Sequence, residues 1–163
     1  MKTITIDGKE YNLVPVEENQ ERKTGWERVK EDRIYFCFNE RLDSRWQEED
    51  YDEYNEEMFS IGNYRNNEEL NKNICRAMRL RLKMLQWQAL NDEPMKIHND
   101  ETIKWYIYWN EELELLQITR DNDSGLDVVY FSSREKVEEA LRVFYDELLW
   151  YYTEFYRRLD EKR

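Results

Sequence analysis

Glycine and proline are scarce in this chain, with 4 Gly and 2 Pro among 163 residues. So little of either builds few tight turns, and the composition favours long regular elements over a loop-rich fold. Cysteine is almost missing too. Cys37 and Cys75 stand far apart and in no metal-ligand spacing, which excludes a disulfide framework or a zinc finger. The lone histidine, His98, lies between Ile97 and Asn99 with no evident partner, so no Ser-His-Asp or Cys-His constellation is visible. There is no glycine-rich loop to cradle a phosphate. No apolar run approaches the roughly 20 residues of a membrane span, and "MKTITIDGKEY" lacks a signal-peptide core. The expected setting is a soluble protein in reducing cytoplasm, without membrane contact.

Positive charge is also in deficit. Lys and Arg total 25 against 37 Asp and Glu, a net charge of −12. Nucleic-acid binders present basic surface and release counterions, so a direct electrostatic grip on DNA or RNA is excluded. The expected partners are basic proteins, or sites that otherwise hold a polyanion. Acidity alone also serves solubility. Aromatics are abundant at 15%, including 12 Tyr and 6 Trp. A disordered acidic chain would be poor in them, so the charge decorates a folded object. The length fits one domain, residues 1–163, able to bury roughly two-thirds of its unfolded surface.

The acids concentrate in "WQEEDYDEYNEEMF", Trp46 to Phe59, with seven carboxylates between Glu48 and Glu57. A hard-cation site would suit oxygen ligands, but the glycine and spacing of an EF-hand loop are missing. "DNDSGLD", Asp121 to Asp127, begins like such a loop, lacks its twelfth-position Glu, and serves as a turn. Neither metal nor cofactor is expected. Acid–base catalysis needs carboxylates whose environments push their pKa values apart, and seven on a hydrophilic stretch do not suggest that, so an enzyme is not expected. Fully extended, ten residues span roughly 33 Å, one charge about every 5 Å against about 3.4 Å per phosphate of a nucleic-acid strand. Tyr51 and Tyr54 can replace base stacking. The candidate partner-binding residues are Glu48, Glu49, Asp50, Tyr51, Asp52, Glu53, Glu56 and Glu57, read as phosphate and base surrogates, with a solvated loop as the rival reading.

"TITIDGKEYNLVPV" alternates around Asp7-Gly8 and predicts a hairpin of Lys2–Ile6 and Glu10–Val14 within residues 1–16. The chain then repeats itself. "RIYFCFNE" (Arg33–Glu40) matches "KWYIYWNE" (Lys104–Glu111), and "NYRNNEEL" (Asn63–Leu70) is answered by "VYFSSREK" (Val129–Lys136). A long helical pattern follows each, with Asn67 and Ser133 as candidate N-caps. The expected fold class is α+β, a mainly antiparallel sheet with two long helices. It comprises two strand-strand-strand-helix repeats (26–91 and 102–160) plus the N-terminal hairpin, paired about a pseudo-twofold axis.

At 100° per residue, Leu70, Ile74, Ala77, Met78, Leu82, Leu85 and Ala89 share one face of the first helix, opposite Lys72, Arg76, Arg79 and Lys83. Arg81 projects onto the apolar face, where its stem can snorkel. The second helix buries Val137, Leu141, Phe144, Leu148, Tyr151, Tyr152, Phe155 and Leu159. Val143 and Trp150, one heptad apart and off that stripe, either pack on a neighbouring element or form a contact seam for a homodimer. Charge is segregated: residues 40–69 hold 11 acids and 3 bases, whereas 70–90 hold five bases and no acid. The basic stripe can meet a small anionic ligand or lie against the acidic stretch.

The repeated pattern resembles accessory proteins of Firmicute phages and prophages. The residues carrying the resemblance are "IGNYRNNEEL" (Ile61–Leu70), "ALN" (Ala89–Asn91), "VYFSSREKVEEAL" (Val129–Leu141) and "DELLWYYTEF" (Asp146–Phe155), within roughly residues 26 to 158. Arg65 stands where the pattern usually has an aromatic, and Asn67 where it often has Thr. The resemblance implies a phage-borne cytoplasmic protein rather than an activity. By analogy with small acidic phage proteins, the expected function is inhibition by occlusion: an anti-CRISPR-like mimic covering the nucleic-acid-binding surface of a basic host protein, with a CRISPR effector nuclease as the expected target. The alternative is a structural or regulatory phage protein that self-associates.

Overall fold

Alternating aromatic runs, polar turns and two capped amphipathic stretches give an α+β protein in the computed structural model, which describes residues 3–6, 9–12, 24–95, 102–122 and 128–156. The order is β1 (Thr3–Ile6), β2 (Lys9–Asn12), β3 (Ile34–Phe38), β4 (Ser44–Glu48), α1 (Glu53–Ser60), α2 (Glu68–Asn91), β5 (Lys104–Asn110), β6 (Leu115–Asp121) and α3 (Arg134–Trp150). The last continues as a π-helical turn, Tyr151–Tyr156. The strands form three separate antiparallel hairpins rather than one sheet. β1 and β2 pair from Thr3↔Asn12 to Ile6↔Lys9, a register that leaves Asp7-Gly8 between them. Lys2, Val14, Pro15, His98 and Leu159 lie outside the described residues.

The expected third strand of each half shrinks to one bridge. Arg65 pairs with Phe36, and Phe131 pairs with Trp105. The polar residues that follow turn the chain into a helix instead of prolonging the ladder: Asn67 accepts from the Leu70 N–H at 2.8 Å, and Ser133 from the Lys136 N–H at 3.3 Å. The two aromatic motifs also meet their bridges out of phase. Phe36 is the fourth residue of its motif and Trp105 the second. A shift of two preserves the strand face.

The repeated Asn-Glu pair has a local cause. Asn39 Oδ1 accepts from the N–H groups of Arg41 and Asp43, and Asn110 Oδ1 from that of Leu113, so each asparagine builds the turn after its strand. Scarce glycine does not prevent tight turns here. Asp32, Leu42, Tyr51 and Glu114 take left-handed φ values of 60°, 58°, 54° and 50°, conformations that ordinarily call for glycine.

α2 corrects the single-stripe reading. Its buried residues are Asn71, Cys75, Leu80 and Met84. Asn71 and Cys75 belong to its N-terminal half, where Asn71 Nδ2 donates to Cys37 O and Ser44 Oγ of the β3–β4 hairpin. Leu80 and Met84, with Trp87 beside them, enter a core made of Ile107, Leu116, Val129, Phe131, Val137, Ala140, Phe144 and Leu148. Cys75 and Leu80 lie about 140° apart around the axis, and Asn71 and Leu80 about 180°. The helix therefore buries one side against the first hairpin and nearly the opposite side against the second half. Leu82 and Leu85 belong to the first side past the paired strands, where the β3–β4 turn approaches Leu82 without covering it, and remain exposed, at 56% and 40%.

α3 follows its expected stripe through Val137, Phe144 and Leu148, with Leu141, Tyr151 and Tyr152 partly buried against the core. Asp92, the C-cap of α2, accepts hydrogen bonds from Ser132 N and Ser132 Oγ and so fastens the end of α2 to the entry of α3. Val143 is exposed, but Trp150 is buried, so the two do not make a common contact seam. The Arg76 guanidinium sits 3.8 Å from the Trp150 ring centroid, and Phe155 stacks on it at 5.7 Å. A charge at position 150 would lose these contacts without solvation, so Trp150→Glu should cost roughly 3 kcal/mol or more in urea unfolding. Its effect should appear as lost stability and not as a changed oligomeric state in light scattering.

Candidate functional site

Glu49 differs from the other acids of its stretch. It closes the strand that β4 begins, because its N–H donates to Arg33 O at 2.9 Å. Its side chain is fully buried. Arg28 forks onto it, Nε to Oε2 at 3.1 Å and Nη2 to Oε1 at 2.9 Å. Tyr64 donates its hydroxyl to Oε2 at 2.6 Å, and the Tyr51 N–H reaches Oε1 at 2.9 Å. Burial alone would raise this pKa. The Arg28, Tyr64 and Tyr51 donors outweigh it and hold the carboxyl below its ordinary value. Tyr64, buried and facing that carboxylate, is pushed well above the usual phenol value, mainly by desolvation.

This buried carboxylate shapes the backbone around it. Tyr51 is held left-handed with its hydroxyl on Val29 O at 3.1 Å and the Arg28 guanidinium 4.5 Å from its ring centroid. Asp50 N donates to Asn55 Oδ1 at 2.6 Å, and Asn55 Nδ2 donates to Tyr35 OH at 3.2 Å. Asp52 caps α1 by accepting from Asn55 N at 2.7 Å, and Glu56 meets Arg28 Nη1 at 2.5 Å. The acidic stretch is thus a strand end, a pinned corner and a helix, not a loop. An N-cap aspartate with acids in the first turn was the sequence signal for α1.

The eight candidate residues therefore divide. Glu49 faces inward and does not serve as a phosphate surrogate, because its desolvated charge is consumed by Arg28 and Tyr64. Tyr51 is exposed but tied to Val29 and Arg28, so it is not a freely presented base surrogate. Glu48, Asp50, Asp52, Glu53, Glu56 and Glu57 are exposed. Of these, Asp52 is spent on the cap and Glu56 shares Arg28. Glu48, Asp50, Glu53 and Glu57 form no ion pair with a described residue, and Glu53 and Glu57 lie on the same side of α1, one turn apart.

An apolar strip unnoticed in the sequence adjoins these acids. The β3–β4 register sets Phe36 across from Trp46 and Ile34 across from Glu48. Tyr35 and Cys37 point to the other face, into a small core with Tyr64, Val29 and Met58. Trp46 is left 65% exposed and Ile34 51%. Alternation could have suggested the strip, had β4 been legible inside a charged segment.

Arg65 lies between aromatic rings. It is buried, its guanidinium lies 4.6 Å from the Trp26 ring centroid and 5.3 Å from that of Phe38, and Nη1 donates to Asn63 Oδ1 at 3.1 Å. Nε has no partner, and desolvation pulls the pKa below its ordinary value. The basic face of α2 does not cover the acidic stretch. Lys72 pairs with Glu68, Arg76 with Glu147 and Arg79 with Asp43. Among the described residues no group of three or more His, Cys, Asp or Glu is placed to hold a metal ion. Comparison with protein-family models, curated proteins and solved structures gave no match.

Because the folded pKa of Glu49 is depressed, its stabilising contribution is complete above its ordinary value of 4.5 and fades as pH falls through the lower folded value. Glu49→Gln should cost about 2 kcal/mol at pH 7, less than a wholly buried pair, since Arg28 keeps Glu56 and some water. Urea midpoints of the two proteins should converge between pH 4.5 and lower pH. Arg65→Phe should keep stability within about 1 kcal/mol, because a flat ring fits between Trp26 and Phe38 and the orphaned Nε is removed. Thermal unfolding of that variant checks it.

Proposed function

We propose that this chain is a non-catalytic, phage-borne inhibitory protein that lays an acidic ridge into a basic groove on a host defence nuclease, a CRISPR effector in particular, where nucleic acid otherwise binds. The observation that carries this reading is the inward anchoring of Glu49. One buried carboxylate fixes the backbone while six neighbours stay in water, so the exposed negative groups are presented at defined positions. Helical winding brings Glu53 and Glu57 to about 6 Å apart along the axis, close to twice the spacing of about 3.4 Å between phosphates of a strand. Trp46 and Ile34 supply the apolar contact beside the acids that a stable interface needs at its centre.

The same reading takes residues 26–91 and 102–160 as two copies of one strand-rich, helix-closed unit about a pseudo-twofold axis, following the hairpin of 1–16. Its support is local. In each half a single bridge to the first strand of the hairpin, at Arg65 or Phe131, precedes the helix N-cap by two residues. The burial of Trp150 removes half of the seam on which self-association would rest.

The test uses Glu48→Lys, Asp50→Lys, Glu53→Lys and Glu57→Lys together, all exposed and outside the Glu49 anchor. Tagged wild-type protein should retain nucleic-acid-binding proteins from host lysate, release them on adding duplex DNA or guide RNA, and inhibit cleavage by the retained nuclease. The quadruple variant should melt within a few degrees of wild type and lose the capture about a hundredfold, since exposed pairs and steering both vanish with charge reversal. Equal capture by the variant, or capture indifferent to salt and nucleic acid, rejects the proposal.

A further inference from the structure

The turn joining β3 to β4 leans over one stripe of α2 and borders an open groove of about 460 Å3. It lies at the end of the hairpin away from Glu48 and shares no residue with the acidic ridge. Arg79, Leu82, Lys83 and Gln86 line the helix side at positions i, i+3, i+4 and i+7. Glu40, Arg41 and Leu42 face them from the turn.

The turn is firmly built. Asn39 binds the N–H groups of Arg41 and Asp43 through its side chain and that of Leu42 through its carbonyl at 2.9 Å. Leu42 is held left-handed at φ 58°. Asp43 fastens the turn to the helix by its ion pair with Arg79 at 3.1 Å. Three cations meet here in a chain of net charge −12. Asp43 neutralises Arg79, while Arg41 and Lys83 form no ion pair with a described residue. Leu82 leaves a bare apolar wall between them.

The geometry points to a binding site for a nucleoside diphosphate. Its phosphates meet Arg41 and Lys83, which supply charge-assisted donors, and its flat base lies on Leu82 and Leu42. Glu40 suits a ligand that is more than a bare anion: away from the phosphates its carboxylate accepts hydrogen bonds from ribose hydroxyls or a base amino group, as does the Gln86 carbonyl. Inorganic phosphate would also leave most of the groove unfilled. The basic stripe of α2 thus acquires a role at its C-terminal half that its own ion pairs leave open.

Isothermal titration of the full chain with ADP, in buffer containing EDTA so that no metal bridges ADP to the acids elsewhere, decides the matter. ADP should bind once per chain with Kd on the order of 100 µM, and inorganic phosphate and adenosine each at least about tenfold more weakly. Arg41→Gln with Lys83→Gln should weaken ADP at least about tenfold without moving the melting temperature, since both side chains are exposed. Leu82→Ser should weaken ADP while leaving inorganic phosphate unchanged. Absence of heat with millimolar ADP, equal binding by the Arg41/Lys83 variant, or phosphate binding as tightly as ADP overturns the site. The ridge variant of the preceding section should bind ADP normally, so either proposal can fail alone.

Discussion

Two hairpins that pair with nothing in each other are joined by one helix burying different sides at its two ends. Asn71 and Cys75 face the β3–β4 hairpin, and Leu80 and Met84 face the core of the other half. Apolar burial is worth roughly 25 cal/mol per Å2, so most of the cohesion comes from the second contact, where the side chains are large and dry. The first is more polar. There Asn71 satisfies a strand carbonyl and a serine hydroxyl, fixing direction more than adding energy. The bidentate pairing of Arg76 with Glu147, stacked over Trp150, and the tie from Asp92 to Ser132 keep α2 in register with α3.

The candidate surface depends on this frame indirectly. Tyr64, which donates to Glu49, belongs to the segment that bridges β3 and enters α2, so the placement of that helix also places the anchor of the acidic corner. Arg28 links the two levels. One guanidinium neutralises the buried carboxylate and touches Glu56 at the surface, so the interior of the corner and its charged exterior are set by a single side chain.

Elements written by local chemistry were legible from the sequence: β1 and β2 around Asp7-Gly8, β3 and β5 from alternation, the caps Asn67 and Ser133, and the Val137, Phe144 and Leu148 stripe. What stayed hidden was tertiary. α2 carries two apolar stripes, and nothing within residues 70–91 says that each is used over only half its length. Seven acids within ten residues concealed the Asp52 cap and made one stretch look uniformly exposed. Which of them turns inward depends on Arg28, 21 residues upstream, and on Tyr64, 15 residues downstream. Trp150 was ambiguous for the same reason, since its cover comes from Arg76 on another helix.

The four left-handed residues at Asp32, Leu42, Tyr51 and Glu114 have a consequence for how this protein can change over generations. A non-glycine residue in that conformation carries roughly 1 kcal/mol of strain. Leu42 and Tyr51 stand beside the two proposed binding surfaces, whereas Glu114 sits in a plain hairpin turn. Replacement by glycine or asparagine at that remote turn would give the lineage stability to spend on otherwise disruptive surface variants. The chain therefore retains room to alter what it presents without losing its scaffold.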